Sequence, residues 1–107
     1  MEMKQYSIVL VNLDPTIGSE IQKTRPCVII SPDELNDYLR TLVIAPMTTK
    51  SNSYPTRIKV NHNNQEGWVV IDQIRTIDKS RIIKNLGALT AGEIAKCKRA
   101  ISETFVE

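Results

Sequence analysis

The sequence predicts a mainly β protein: a small, strongly bent sheet or barrel with one helix packed across it. Short apolar, β-branched runs recur from residue 7 to residue 77. Polar stretches rich in Asn, Asp, Ser, Pro and Gly separate them, as turns do. A helical hydrophobic period appears only near the C-terminus. Strands at short spacing followed by one amphipathic helix are most simply packed as a curled sheet with the helix across it.

SIVLVNL (7–13) is apolar and β-branched, and reads as the first strand. The next, CVII (27–30), follows Pro26 and stops before Ser31-Pro32. The connection DPTIGSEIQKTRP exceeds the roughly two to five residues of a tight hairpin and carries Glu20, Lys23 and Arg25. Ser31-Pro32-Asp33-Glu34 is a helix-opening pattern, good for one or two turns. TLVIA (41–45) reads as a strand ended by Pro46. RIKV (57–60) alternates and puts Ile58 and Val60 on one face. NHNNQEG (61–67) is a turn by composition, and WVVI (68–71) follows it with QIRTI (73–77) as a candidate continuation. Asp78-Lys79-Ser80-Arg81 suggests a short helical turn. In LTAGEIAKCKRAISETF, Thr90 as N-cap and Glu93 three residues on form a capping box. Ile94, Cys97, Ile101 and Phe105 make one helical stripe, with Lys96, Lys98 and Arg99 away from it.

The 107 residues suit a single domain over 1–107, with 41% hydrophobic and 24% charged residues, ordinary for a globular protein. No apolar run is long enough to span a membrane. The polar start MEMKQYS reads as no signal peptide, and the chain as cytoplasmic. Cys27 and Cys97 have no short-spaced partner and read as reduced core thiols. The charge is uneven: residues 40–84 hold eight Lys/Arg against three Asp/Glu, while residues 1–39 hold three against six. A basic middle fits an anionic partner, nucleic acid above all, or a merely solvated face.

The sequence lacks CxxC, HExxH, GxxxxGK[ST] and GxGxxG, so no metal or nucleotide cofactor is expected. Its one histidine, His62, lies in the polar turn, which leaves no histidine-activated serine or cysteine. Polar residues at strand ends remain: Arg25 before Pro26, Thr48, Thr49 and Lys50 after Pro46, then Asp72, Gln73 and Arg75. Trp68 reads as a core residue opening its strand rather than a base-stacking platform, in a chain only 5% aromatic.

Taken in order, LDPTIGSEIQKTRPCVIISP, APMTTK, YPTRI, IDQIRTIDKSRI and LGALTAGEI resemble the MazF/PemK (Kid) family of toxin endoribonucleases over nearly the whole chain. The resemblance implies an SH3-like barrel with a terminal helix, a homodimer, and a cognate acidic antitoxin. It also implies metal-independent cleavage of single-stranded RNA, the ribose 2′-OH attacking the adjacent phosphorus. By the same resemblance Arg25 and Thr48 act on the phosphate, and Glu20 is the general base or orients Arg25. Ser19, Gln22, Thr49, Lys50, Asp72, Gln73 and Arg75 are then the RNA-binding set. Two departures mark this chain: Val70 stands where the Kid branch has an arginine, and Ile17 or Gly18 occupies the place of its early-loop histidine. Two other readings predict different behaviour: a CcdB-like gyrase poison on the same fold, and a non-catalytic SH3-like binding module.

Overall fold

The computed structural model describes residues 3–13, 24–50 and 54–106. Among these residues, seven strands form one sheet in the order β4-β5-β3-β2-β1-β7, with β6 paired to β3 off that path. The strands are β1 Ser7–Asn12, β2 Thr24–Ile29, β3 Thr41–Thr48, β4 Arg57–His62, β5 Gln65–Val70, β6 Arg75–Asp78 and β7 Ile82–Ala88. All pairings are antiparallel. The short helix α1 (Asp33–Tyr38) links β2 to β3, and α2 (Ala91–Ile101) follows β7.

β3 does not stop at Pro46, as the sequence suggested, but runs on to Thr48. Proline breaks a central strand because it has no N–H to donate. Here it sits where β3 changes neighbours. Residues Thr41 to Ile44 pair with β6, and pairing with β5 begins at Met47. Pro46 lies between, paired across to Cys27 of β2. β2 likewise begins at Thr24, so Arg25 and Pro26 belong to the strand and pair with Val11 and Leu10.

Two further boundaries moved. The turn read over residues 61–67 shrinks to Asn63-Asn64, both at positive φ, with β4 and β5 paired from His62–Gln65 onward. Two successive positive-φ asparagines match the twist of a tight hairpin. QIRTI does not continue β5; a 3-10 turn over Ile71–Gln73 intervenes before β6. A second, Lys79–Arg81, occupies the short turn the sequence indicated. β7 had no strand assigned from its polar pattern, IIKNLGA, and is held by pairing to β1 with two register shifts.

Side-chain alternation divides the core between the two faces of the sheet. One cluster gathers Ile8, Val28, Ala45, Met47, Val60 and Val69 with Cys97 and Ala100 of α2. The other holds Val9, Val11, Cys27, Ile29, Leu42, Ile44 and Ile77. The capping box forms: Thr90 Oγ1 accepts from Glu93 N, and Glu93 Oε1 accepts from Thr90 N at 2.9 Å. Glu93 Oε2 also accepts from Asn61 N at 2.9 Å, so the cap ties α2 to β4. The stripe ends early, because Phe105 lies in the π-helical extension Ser102–Val106 and is 53% exposed.

Asn36, only 1% exposed, is a polar knot under α1. Its Oδ1 accepts from Ser31 Oγ at 2.6 Å, and its Nδ2 donates to Met3 O and Ser31 O, both at 2.8 Å. Asn36→Ala strands those partners and should lower stability by about 2–3 kcal/mol in urea unfolding. Cys27 and Cys97 are free and buried, and burial pushes their thiols up to about 12 and about 11. A buried, protonated thiol is a poor nucleophile. Neither should react with iodoacetamide at about pH 8 in the native protein, and both should once it is unfolded in urea.

Candidate functional site

The second core cluster extends, at one end of the sheet, into a polar surface. Arg25 stands two residues before Cys27 and Thr48 two after Pro46, the last paired position between β2 and β3. The period of two gives both the same face as Cys27, Ile29 and Ile44. Arg75 shares it, being paired with Ile44. The charges of Arg25 and Arg75 both reach the Cys27 thiol, where burial dominates and they partly oppose it. Two guanidinium groups therefore converge on this patch. Among the described residues no carboxylate forms an ion pair with either.

Thr48 closes a small turn: its Oγ1 donates to Lys50 O at 3.2 Å and accepts from Lys50 N at 3.3 Å. The hydroxyl is thereby fixed at the strand end, with Thr49 and Lys50 exposed beside it. Across β5 the row continues. Thr48 is paired with Trp68, and Trp68 with Lys59. Trp68 is half-buried on this face, with Lys59 Nζ 6.0 Å from its ring, while Val69 is the core residue beside it. The core placement expected of Trp68 is therefore corrected: in β5 alternate side chains face the cluster that α2 completes, as Val69 does, and Trp68 falls between.

Asp72 and Gln73 lie in the 3-10 turn after β5, both exposed. Asp72 Oδ1 accepts from Thr56 Oγ1 at 2.9 Å and from Arg57 Nε at 3.4 Å. Burial works against its charge, but hydrogen bonds from Thr56 and Arg57 outweigh it and hold the carboxyl below its ordinary value. So held, Asp72 is a weak proton acceptor and a strong anchor for Arg57. Arg57 in turn stacks on Tyr54, 5.1 Å from the ring centroid. The structure thus brings Arg25, Thr48 and Arg75 to one face and sets Asp72 in a neighbouring ion pair. Glu20, Ser19 and Gln22 lie outside the described residues.

Sequence reasoning missed Arg57, Lys59, Tyr54 and Trp68 as members of this surface. The alternation of RIKV, with Ile58 and Val60 inward, already required Arg57 and Lys59 to point the other way. Which other side chains shared that side depended on the pairing of β4, β5 and β3. Among the described residues no three His, Cys, Asp or Glu side chains gather to hold a metal.

A strongly curled antiparallel half-barrel, backed by one helix and bearing a basic polar patch at one sheet end, defines a class of small toxin folds. The family described as PemK-like, MazF-like toxin of type II toxin–antitoxin systems matches residues 4–105, and the chain belongs to it. It is 30% identical over 105 residues to Endoribonuclease MazF of Staphylococcus saprophyticus, covering 92% of this chain and 88% of that protein. Mycobacterium tuberculosis toxin MazF-mt6 superposes with a TM-score of 0.78 at 26% identity, over 94% of this chain and 96% of the other. MazF of Deinococcus radiodurans superposes at 0.83 with 22% identity over 100% and 99%, a likeness of fold. A MazE–MazF complex from the same organism matches at 0.84 with 24% identity over 96% and 95%.

A carboxyl with a lowered folded pKa stabilises the protein once ionised in both states, and that contribution goes as pH falls through the folded value. Asp72→Asn should therefore be less stable than the parent at about pH 7, and the difference should close below about pH 4. Urea midpoints across this range check it.

Proposed function

We propose that this chain is the endoribonuclease toxin of a type II toxin–antitoxin system, cleaving single-stranded RNA at short sequences without a metal ion. The observation that carries the reading is the placement of Arg25 and Thr48 on one face, where β2 begins and β3 ends, in a chain of this family. In the reaction the 2′-OH loses its proton and its oxygen bonds to the adjacent phosphorus. The bond from phosphorus to the 5′-oxygen breaks, and that oxygen takes up a proton. The products are a 2′,3′-cyclic phosphate and a 5′-OH end.

The nucleophile belongs to the RNA, so the protein needs charge stabilisation and proton transfer. Arg25 binds the non-bridging oxygens through two parallel N–H donors. Its pKa, above about 12, suits it to charge stabilisation rather than proton donation. Thr48 turns its hydroxyl proton from Lys50 O to the same phosphate, while the Lys50 N–H keeps hold of its oxygen. Arg75 adds positive charge from across β3. Glu20 is the general base or orients Arg25. Ser19, Gln22, Thr49, Lys50 and Gln73 position the strand. Asp72 organises Arg57 rather than taking a proton. Trp68 and Lys59, in one row with Thr48, carry the RNA away from the scissile phosphate by stacking and charge.

The same basic face suits an acidic antitoxin segment, which would block it directly. The molecule acts in the cytoplasm as a homodimer. Sedimentation at micromolar concentration should show the dimer; a monomer contradicts that part.

Purified protein, folded and free of antitoxin, should cut a long single-stranded RNA in EDTA and leave cyclic-phosphate ends. Intact RNA would sink the proposal. Arg25→Ala should retain its fold by circular dichroism and lose at least about a hundredfold in rate. Glu20→Gln separates its two roles. A general base predicts lost cleavage with RNA affinity kept, whereas an orienting role predicts that both weaken.

A further inference from the structure

We propose that a second site, on the reverse face of the β3 end, receives one nucleobase of the RNA and contributes to sequence preference. The inference rests on the endoribonuclease reading above. Alternation in β3 turns Met47 to the side opposite Thr48, and a pocket of about 90 Å³ opens there. Pro26 of β2, Met47 of β3, His62 of β4 and Gln65 and Gly67 of β5 line it, with Thr48 and Thr49 also contributing. The pocket thus shares Thr48 with the proposed phosphate site.

Its size and chemistry select the occupant. A water needs on the order of 10–15 Å³ of such space, so the pocket has room for one flat heterocycle and not for a helix or peptide strand. Gly67 keeps it open: a Cβ there would stand 3.3 Å from the Thr48 carbonyl oxygen. No lysine or arginine lines it among the described residues, and Glu66 does. A phosphate is thereby disfavoured. Apolar Pro26 and Met47 suit a ring face. The Gln65 amide, the Thr49 hydroxyl and the His62 imidazole suit a base edge, which carries both donors and acceptors.

His62 is the distinctive element. Its ring is seated against Gly87, where a Cβ would approach Cε1 to 2.9 Å. Gly87 has φ +136°, a backbone few other residues adopt. The His62 Nε2 is shut from solvent, with no hydrogen-bond partner among the described residues. A buried polar atom in that state is unfavourable. The ring is seated against Gly87 and interacts with the Glu93 charge. A base edge would supply the hydrogen bond that Nε2 lacks. Sequence position gave no hint of this, because a histidine in NHNN reads as solvated.

Cleavage-end mapping on a mixed transcript pool, with parent, His62→Ala and Gln65→Ala proteins, tests the pocket. The variants should lose about tenfold of the discrimination at one base position beside the cut, with preferences elsewhere and the rate on the best relaxed site retained. As a readout independent of cleavage, the His62 Cε1–H resonance, unambiguous because His62 is the only histidine, is followed in Arg25→Ala protein. The probes are 2′-O-methyl RNA oligonucleotides of the mapped site, with the preferred base or an abasic residue at that position. A shift with the base and none with the abasic probe is expected. If the parent cuts RNA but the variants keep its preference at every position, or both probes shift the resonance alike, the pocket is overturned while the endoribonuclease reading stands. If the parent cuts no RNA, both fall.

Discussion

The structure depends on how one strand is shared. β3 is paired to β2 along one edge, and along the other first to β6 and then to β5. A strand serving two partners in succession on one side must bend as it passes between them. The residue at the change is Pro46, whose missing N–H costs least in the gap between two ladders. The curl of the sheet, the division of the core and the position of the site all follow from this handover. Thr48 ends the strand beyond the bend, and Arg25 lies near the start of β2, just beyond the Cys27–Pro46 pair.

Each face of the curled sheet has its own apolar cluster, and each cluster gives way to polar chemistry near the β3 end. On one face Cys27, Ile29 and Ile44 lead to Arg25, Thr48 and Arg75. On the other, Met47 and Val69 lead to the pocket walled by Gly67 and His62. Rigid strands thus present two chemistries on opposite faces: positive charge on one, mixed apolar and amide groups on the other. α2 seals the cluster of Met47 and Val69 elsewhere, and its cap reaches β4 through Glu93. Burial opposes that glutamate's charge, yet backbone N–H groups of Thr90 and Asn61 keep it below the usual carboxylate range. One carboxylate therefore fixes both the start of the helix and the strand that carries His62.

The basic side chains fall into two groups. Arg57 is held by Asp72 and Tyr54, and Lys59 pairs with Glu66 at 3.2 Å. Exposed pairs of this kind contribute little to stability. Their effect is to hold long side chains in place along one row of the sheet. Arg25 and Arg75 sit instead over a buried, neutral thiol, which lends them no countercharge. Their field is available to an anion.

What the sequence determined by itself was local or carried by motif. The capping box of Thr90 and Glu93 announced α2, since a cap is made of residues three apart and needs no partner. The apolar runs announced most strands, and the ordered motifs from GSE to DQIRTID pointed to the family and to Arg25 and Thr48. Tertiary structure alone decided the rest. Pro46 read as a strand end because the rule for proline assumes one ladder on each side, and only the pairing shows that β3 changes partners there. Trp68 read as core because large apolar residues are usually buried, while register with Thr48 and Lys59 set it on the polar face. β7 was illegible because a strand held by its neighbour needs no apolar period of its own. His62 became informative only when Gly87, distant in sequence, left its ring a seat. Pairing and packing are non-local, and no window of sequence contains them.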